Sequence, residues 1–135
     1  MVKVAGVWEL GWNTPILEHD LWEFPLREFG VDEFIMTPIT GIKKEVTEFN
    51  NIQEVIDANS DLTVILVDER GDETLESFEH PENVLYICGR ASTSPYQSFK
   101  SEYRSLRIET PLNKGMIWPH QAMNIILYDR MKKCQ

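Results

Sequence analysis

A chain of 135 residues is sized for one domain, and can bury roughly 68% of its unfolded surface without help from a disulfide or a metal. Its 42% hydrophobic and 26% charged residues, with seven Gly and seven Pro, exclude collagenous, disordered and disulfide-scaffold classes. No apolar run approaches the roughly 18 residues of a membrane helix and no secretory signal opens the chain, so no membrane contact is expected.

The net charge of −9 taken alone argues against a polyanionic partner. That charge is unevenly spread. Residues 1–83 hold five basic and 19 acidic residues, whereas residues 84–135 hold eight basic and three acidic. The basic C-terminal part reopens nucleic-acid contact, and the alternative is that acidic helices simply face water. Cys88 lies inside an apolar run and Cys134 in a polar tail, which fits a reducing, cytoplasmic setting. No CxxC, HExxH or clustered histidine set is present, so no metal is expected.

Residues 2–8 (VKVAGVW) predict a first strand. After the turn-like 11–15, Asp20 and Glu23 form a capping-box pattern opening a helix. Leu17, Leu21, Phe24 and Phe29 lie on its apolar face, Pro25 kinks or breaks it and Gly30 ends it. Residues 33–37 form a second strand. Val46, Phe49, Ile52 and Ile56 recur at helical spacing over 45–58. Residues 62–67 (LTVILV) and 84–88 (VLYIC) are uninterrupted apolar runs, the pattern of strands covered on both faces. Residues 74–78 suggest a short helix, 91–103 an irregular polar stretch and 105–109 a further strand. A last helix runs from Pro119 to about Lys133, with Met123, Ile126, Leu127 and Met131 on one side. The order implies one α/β domain over 1–135, with a mainly parallel sheet of five or six strands flanked by helices.

In such sheets ligands bind outside the carboxyl ends of the strands, here Asp68-Glu69, residues 89–92 and Thr110-Pro111-Leu112. Neither GxGxxG nor GxxxxGK[ST] occurs. Gly89, directly after a buried strand, admits either a ligand or a plain turn.

The blocks NVLYICGRAS, SLRIETP and MIWPHQAMNIILYDR resemble the last three blocks of the SPOUT RNA methyltransferases, most nearly their minimal 2′-O-methylating branch. The earlier order of strand, Asn13-bearing turn, helix ending Phe29-Gly30, strand, helix and buried strand agrees with it. The resemblance implies a C-terminal trefoil knot, a homodimer, S-adenosylmethionine as cofactor, and tRNA or rRNA as substrate. By position, it implies that Val67, Gly89, Ile108, Thr110, Pro111, Ile117 and Ala122 border the cofactor. The arginine expected on the first helix falls near Glu23-Phe24, with Arg27 the nearest substitute.

Methyl transfer to a ribose hydroxyl needs its proton drawn away and the nucleotide anchored. Asn13 is the matching motif residue. His120 is a base or a polar helix-start residue, and Arg90 a phosphate clamp or a partner for the many acids. Lys100, Arg104 and Arg107, interleaved with Tyr96, Phe99 and Tyr103, form either an RNA-stacking patch or a solvated loop with core-facing aromatics. Trp8, Trp12, Trp22 and Trp118 are expected in the core and a dimer surface. Two functions follow: an RNA methyltransferase with a divergent site, or a knotted homodimeric binding protein that retains the fold without methyl transfer.

Overall fold

The computed structural model describes residues 1–90 and 94–134. Residues 91–93, part of the polar stretch expected at the sheet edge, lie outside them. Seven strands, β1 (Val2–Val7), β2 (Glu33–Thr37), β3 (Thr47–Glu48), β4 (Thr63–Val67), β5 (Glu73–Thr74), β6 (Val84–Cys88) and β7 (Arg104–Arg107), form one sheet in the order β3-β2-β1-β6-β4-β7-β5. Every pairing is parallel. The helices are α1 (Pro15–Glu28), α2 (Ile52–Ala58), α3 (Pro95–Phe99) and α4 (Pro119–Lys133).

Strand side chains alternate between two cores, which explains the apolar runs of β4 and β6. Ile65, Val84, Tyr86 and Cys88 meet Trp22 and Leu26 of α1 and Met123, Ile126 and Leu127 of α4. Val64, Leu66, Leu85 and Ile87 meet Ile52, Val55 and Ile56 of α2 and Tyr96 of α3. Each such large side chain contributes roughly 1.5–3 kcal/mol on burial, so the central strands are the most stabilised part of the fold.

Several expectations are corrected. The sheet has seven strands rather than five or six, because the two-residue β3 and β5 at its edges are too short to leave a periodic pattern. The helix expected over 45–58 is confined to Ile52–Ala58. Thr47–Glu48 instead pairs with β2, and Asn51 starts the helix by accepting from the Glu54 N–H at 3.0 Å. The first helix starts earlier, at Pro15. Thr14, not Asp20, caps it, accepting from the Leu17 N–H at 3.2 Å, and the helix runs on through Pro25. Its buried face carries Glu18, His19, Trp22 and Leu26, while Leu17 and Phe24 are exposed. Residues 95–99 are helical rather than irregular. The short helix expected over 74–78 is a 3-10 turn at Leu75–Ser77, and Met131 faces outward.

Between β4 and β5 the chain passes across β7, which lies between those two strands. The crossing loop rests on the β7 backbone. The Asp68 N–H donates to the Leu106 carbonyl at 3.1 Å, the Asp72 N–H to the Ser105 hydroxyl at 2.8 Å, and Arg107 reaches back to the Gly71 carbonyl at 2.8 Å. Helix α4 is held to the 75–82 segment by Lys133, which donates to the carbonyls of Leu75, Glu76 and Phe78, and by Arg130 on Pro81 and Glu82.

Beneath that clamp the His80 side chain, shielded from solvent, bridges the Tyr86 hydroxyl and the Asp129 carboxylate, both at 2.7 Å. Burial pushes its pKa below the ordinary histidine value, outweighing Asp129, which raises it. The unfolded chain, titrating near pH 6.5, therefore binds this proton more readily than the folded one. The contribution to stability is complete above about pH 6.5 and is lost as pH falls below it. Thermal unfolding should thus show a lower Tm at about pH 5.5 than at pH 7.5, with a shallower dependence in His80→Gln. An equal slope in both proteins would remove His80 from this account.

Candidate active site

A cavity of about 480 Å³ lies at the carboxyl ends of β4, β6 and β7. Its wall is made of Val67, Asp68, Glu69 and Arg70 after β4, Cys88, Gly89 and Arg90 at β6, Ile108 and Thr110 after β7, and 115–119 with Ala122 entering α4. Six of the seven positions expected to border a cofactor therefore line one space: Val67, Gly89, Ile108, Thr110, Ile117 and Ala122. Pro111 is exposed and outside the lining.

Local chemistry shapes the wall. Thr110 and Asn113 exchange reciprocal hydrogen bonds at 3.0 and 3.1 Å, with Asn113 at φ 48°, which folds the loop after β7 back over the cavity. Gly89 is required for a reason the sequence did not show. A Cβ there would stand 2.0 Å from Cδ of Pro95, so the glycine makes room for α3 while it also lines the cavity. Asp68 holds Arg70 through both carboxylate oxygens and accepts from the Ser94 hydroxyl. Burial raises its pKa, but Arg70 and Ser94 outweigh that and keep it below the ordinary carboxylate range. Burial pushes the Cys88 thiol up, so it stays neutral and is no nucleophile at neutral pH.

Beside the cavity lies a polar cluster centred on Glu18, which is 1% exposed. Arg90, 5% exposed, pairs with its Oε1, Asn13 Nδ2 donates to its Oε2 at 2.9 Å, and Trp22 Nε1 donates at 3.3 Å. The Arg90 guanidinium also lies 5.1 Å from the Trp12 ring and 5.8 Å from that of Trp118. His120 packs edge-on to Trp22 and Trp118. Burial first, and the Arg90 charge further, hold its pKa below the ordinary histidine value against the opposing pull of Glu18. Asn13, Arg90 and His120, far apart in sequence, thus converge on a carboxylate that sequence reasoning missed.

The buried side-chain atoms without a hydrogen-bond partner among the described residues are Asn13 Oδ1, Arg90 Nε, His120 Nδ1 and His19 Nε2. Three of the four belong to this cluster, and the fourth is on His19, which packs against Phe34 and meets Asp20 through Nδ1. Such atoms each cost about 1–3 kcal/mol when buried unpaired, so three of them in one cluster make it a candidate place for a bound polar group or an ordered water.

The remaining expectations fall elsewhere. Arg104 makes a two-pronged pair with Glu73, and Arg107 binds Glu109 and two loop carbonyls. With Lys100 they lie outside the cavity wall. Tyr96 is buried in the second core with Phe99 and Tyr103 against it, so these aromatics face the core. Of the tryptophans, Trp22 is core, whereas Trp12 and Trp118 stand at the cavity. His19, Asp20 and Glu23 bring three possible metal donors within 4.8 Å, but Lys44 and Arg27 already neutralise the two carboxylates. Among the described residues no helix is long and apolar enough to cross a membrane.

No family model and no curated protein matches the sequence. Solved structures do match. The SpoU methyltransferase AviRb from Streptomyces viridochromogenes, in complex with AdoMet, superposes with a TM-score of 0.77 at 13% identity, covering 98% of this chain and 57% of that one. A structure solved for the 2-OH methylation of C/U34 on tRNA gives 0.76 at 10% identity, over 99% of this chain and 97% of the other. The A. aeolicus TrmH/SpoU tRNA modifying enzyme gives 0.69 at 12% identity, over 98% and 76%. This chain therefore spans little more than half the length of AviRb and nearly all of the second structure. The seven-stranded parallel sheet of this chain, with its helices, has the fold of the SpoU/TrmH class of SPOUT RNA methyltransferases.

Proposed function

We propose that the chain is an S-adenosylmethionine-dependent methyltransferase acting on tRNA or rRNA, with a ribose 2′-hydroxyl as acceptor. It works as a homodimer whose C-terminal part is threaded beneath the loop 68–72. One observation carries the reading. Unpaired buried polar atoms gather on residues around Glu18, directly beside a cavity walled by the loops after β4, β6 and β7. In support, AviRb was solved with AdoMet in place.

The cavity chemistry fits the cofactor. Val67, Ile108, Ile117 and Ala122 offer apolar walls for the cofactor's purine, and Glu69 offers a carboxylate for one of its cationic centres. When bound, S-adenosylmethionine supplies an electrophilic methyl group. The chain's own residues handle the acceptor. Arg90 Nε–H would donate to the hydroxyl oxygen, and Asn13, donating from Nδ2 to Glu18, would hold the carboxylate that fixes Arg90. His120, kept neutral by burial, would take the proton at Nδ1. These atoms are sealed from water, so an acceptor reaches them only by displacing the side chains above, and then meets donors already in place.

One feature favours the second reading, a cofactor-binding protein without transfer. Arg90 is already neutralised by Glu18, and Arg27 on α1 is exposed and engaged with Glu23 and Glu45. Calorimetry with S-adenosylmethionine, then tritiated-methyl transfer to bulk tRNA and rRNA, separates the two. We expect saturable binding below about 1 mM. Transfer by the wild type should fall about 100-fold or more in His120→Ala and Arg90→Ala. No binding at millimolar cofactor sinks the enzyme reading, and binding with background transfer leaves the second.

A further inference from the structure

Trp12 and Trp118 lie edge to face, 5.8 Å between centroids with planes 79° apart, and are 50% and 43% exposed. The Arg90 guanidinium is set against both rings and is fixed there by Glu18. Two nearly perpendicular indoles make a corner, in which a flat ring can stack on one and receive the edge of the other. Met116, strongly exposed, continues the apolar surface along the same cavity wall.

We propose that this corner seats an unpaired nucleobase of single-stranded RNA, the base of the acceptor nucleotide, stacked against Trp12 and Trp118. The inference rests on the RNA reading above and names the surface that would hold the base. One observation favours a base over a second copy of this chain, and another favours it over a phosphate. The corner belongs to the cavity wall beside the unpaired atoms of Arg90 and His120, so its occupant must offer a flat ring and a small polar group within one nucleotide's reach. Glu18 also cancels the Arg90 charge, which disfavours a phosphate there and leaves an uncharged aromatic group as the better fit.

The test is the affinity of the intact protein for a short single-stranded RNA with 2-aminopurine at its centre, followed by the probe's fluorescence without cofactor. Wild type is compared with Trp12→Ala, Trp118→Ala, Trp12→Phe, Trp118→Phe and, as a control outside the cavity, Tyr128→Ala. Each tryptophan-to-alanine change should weaken binding about fivefold or more. Phenylalanine should recover most of the loss, and Tyr128→Ala should bind as wild type. With an abasic centre, wild type and alanine variants should bind alike, and the salt dependence should be common to all, since no phosphate contact is removed. Alanine variants that bind as tightly as wild type overturn the inference. So does a wild type that does not bind the RNA. Alanine variants that change the sedimentation coefficient while leaving RNA affinity intact also overturn it, and assign the corner to a protein interface. Methyl transfer is scored separately on the same variants. Indole-dependent binding without transfer keeps this inference and loses the enzymatic one, and transfer indifferent to both indoles does the reverse.

Discussion

Glu18→Ala is expected to destabilise the fold by about 3–5 kcal/mol, because it strands the Arg90 guanidinium as an uncompensated buried charge. For a domain of this size that is a fall in Tm of about 10–20 °C, a large share of a typical total stability of about 5–15 kcal/mol. The cost is not the worth of the ion pair itself. Asn13 Nδ2 and Trp22 Nε1 also donate to this carboxylate and would lose their acceptor. The informative comparison is the double variant Glu18→Met with Arg90→Met. Removing both charges together and filling the space with apolar atoms should recover most of the lost stability. Methyl transfer should nevertheless stay at background, since Arg90 Nε is gone. A double variant with wild-type transfer would disqualify the cluster as the acceptor site. A single Glu18→Ala variant with unchanged Tm would show that Arg90 finds another partner.

That the cluster was only half visible beforehand has a physical cause. Arg90 and His120 were legible as candidates because they sit just beyond a strand and at a helix start, where α/β sheets place their sites, whereas Asn13 was named by the family resemblance alone. Glu18 was not legible, because hydropathy selects the wrong face of α1. The stripe Leu17, Leu21, Phe24 is the more apolar by sequence, yet the buried stripe is Glu18, Trp22, Leu26. A helix that buries a carboxylate for a site breaks the rule used to find its inner face. The signal available was the i, i+4 step from Glu18 to Trp22, one turn from the Asn13-Thr14-Pro15 helix start. The strands were readable for the opposite reason. β4 and β6 are covered on both faces, and doubly buried strands leave an uninterrupted apolar run. β3 and β5, two residues each, are made by their neighbours rather than by their own pattern. Gly89 points the same way: its need for close approach was legible, but the group that approaches, Pro95, is supplied by tertiary packing.

The crossing loop gives the second large effect. A Cβ on Gly71 would stand 2.5 Å from the Leu106 carbonyl carbon and 2.8 Å from its nitrogen, both backbone atoms of a fully buried residue of β7. A side chain could swing aside, but this backbone is held by its pairing with β4 on one side and β5 on the other. Gly71→Ala must therefore lift the loop, straining the bonds from Asp68 to Leu106, from Asp72 to Ser105 and from Arg107 to Gly71. The expected cost is about 3 kcal/mol, the upper end of ordinary overpacking, read as a lower urea midpoint with unchanged slope. The same lift moves Asp68, Glu69 and Arg70, which wall the cavity, so S-adenosylmethionine affinity should fall in the same variant. Gly41→Ala is the control. Gly41 has φ +73° with nothing within 4 Å of a built Cβ, so that substitution carries only the left-handed backbone penalty of about 1 kcal/mol, and cofactor affinity should not change. If Gly71→Ala is no less stable than Gly41→Ala, the loop does not bear on β7 as described. If Gly71→Ala loses stability but keeps full cofactor affinity, the crossing serves the fold alone, and the cavity wall is set by the loop after β7 and the start of α4.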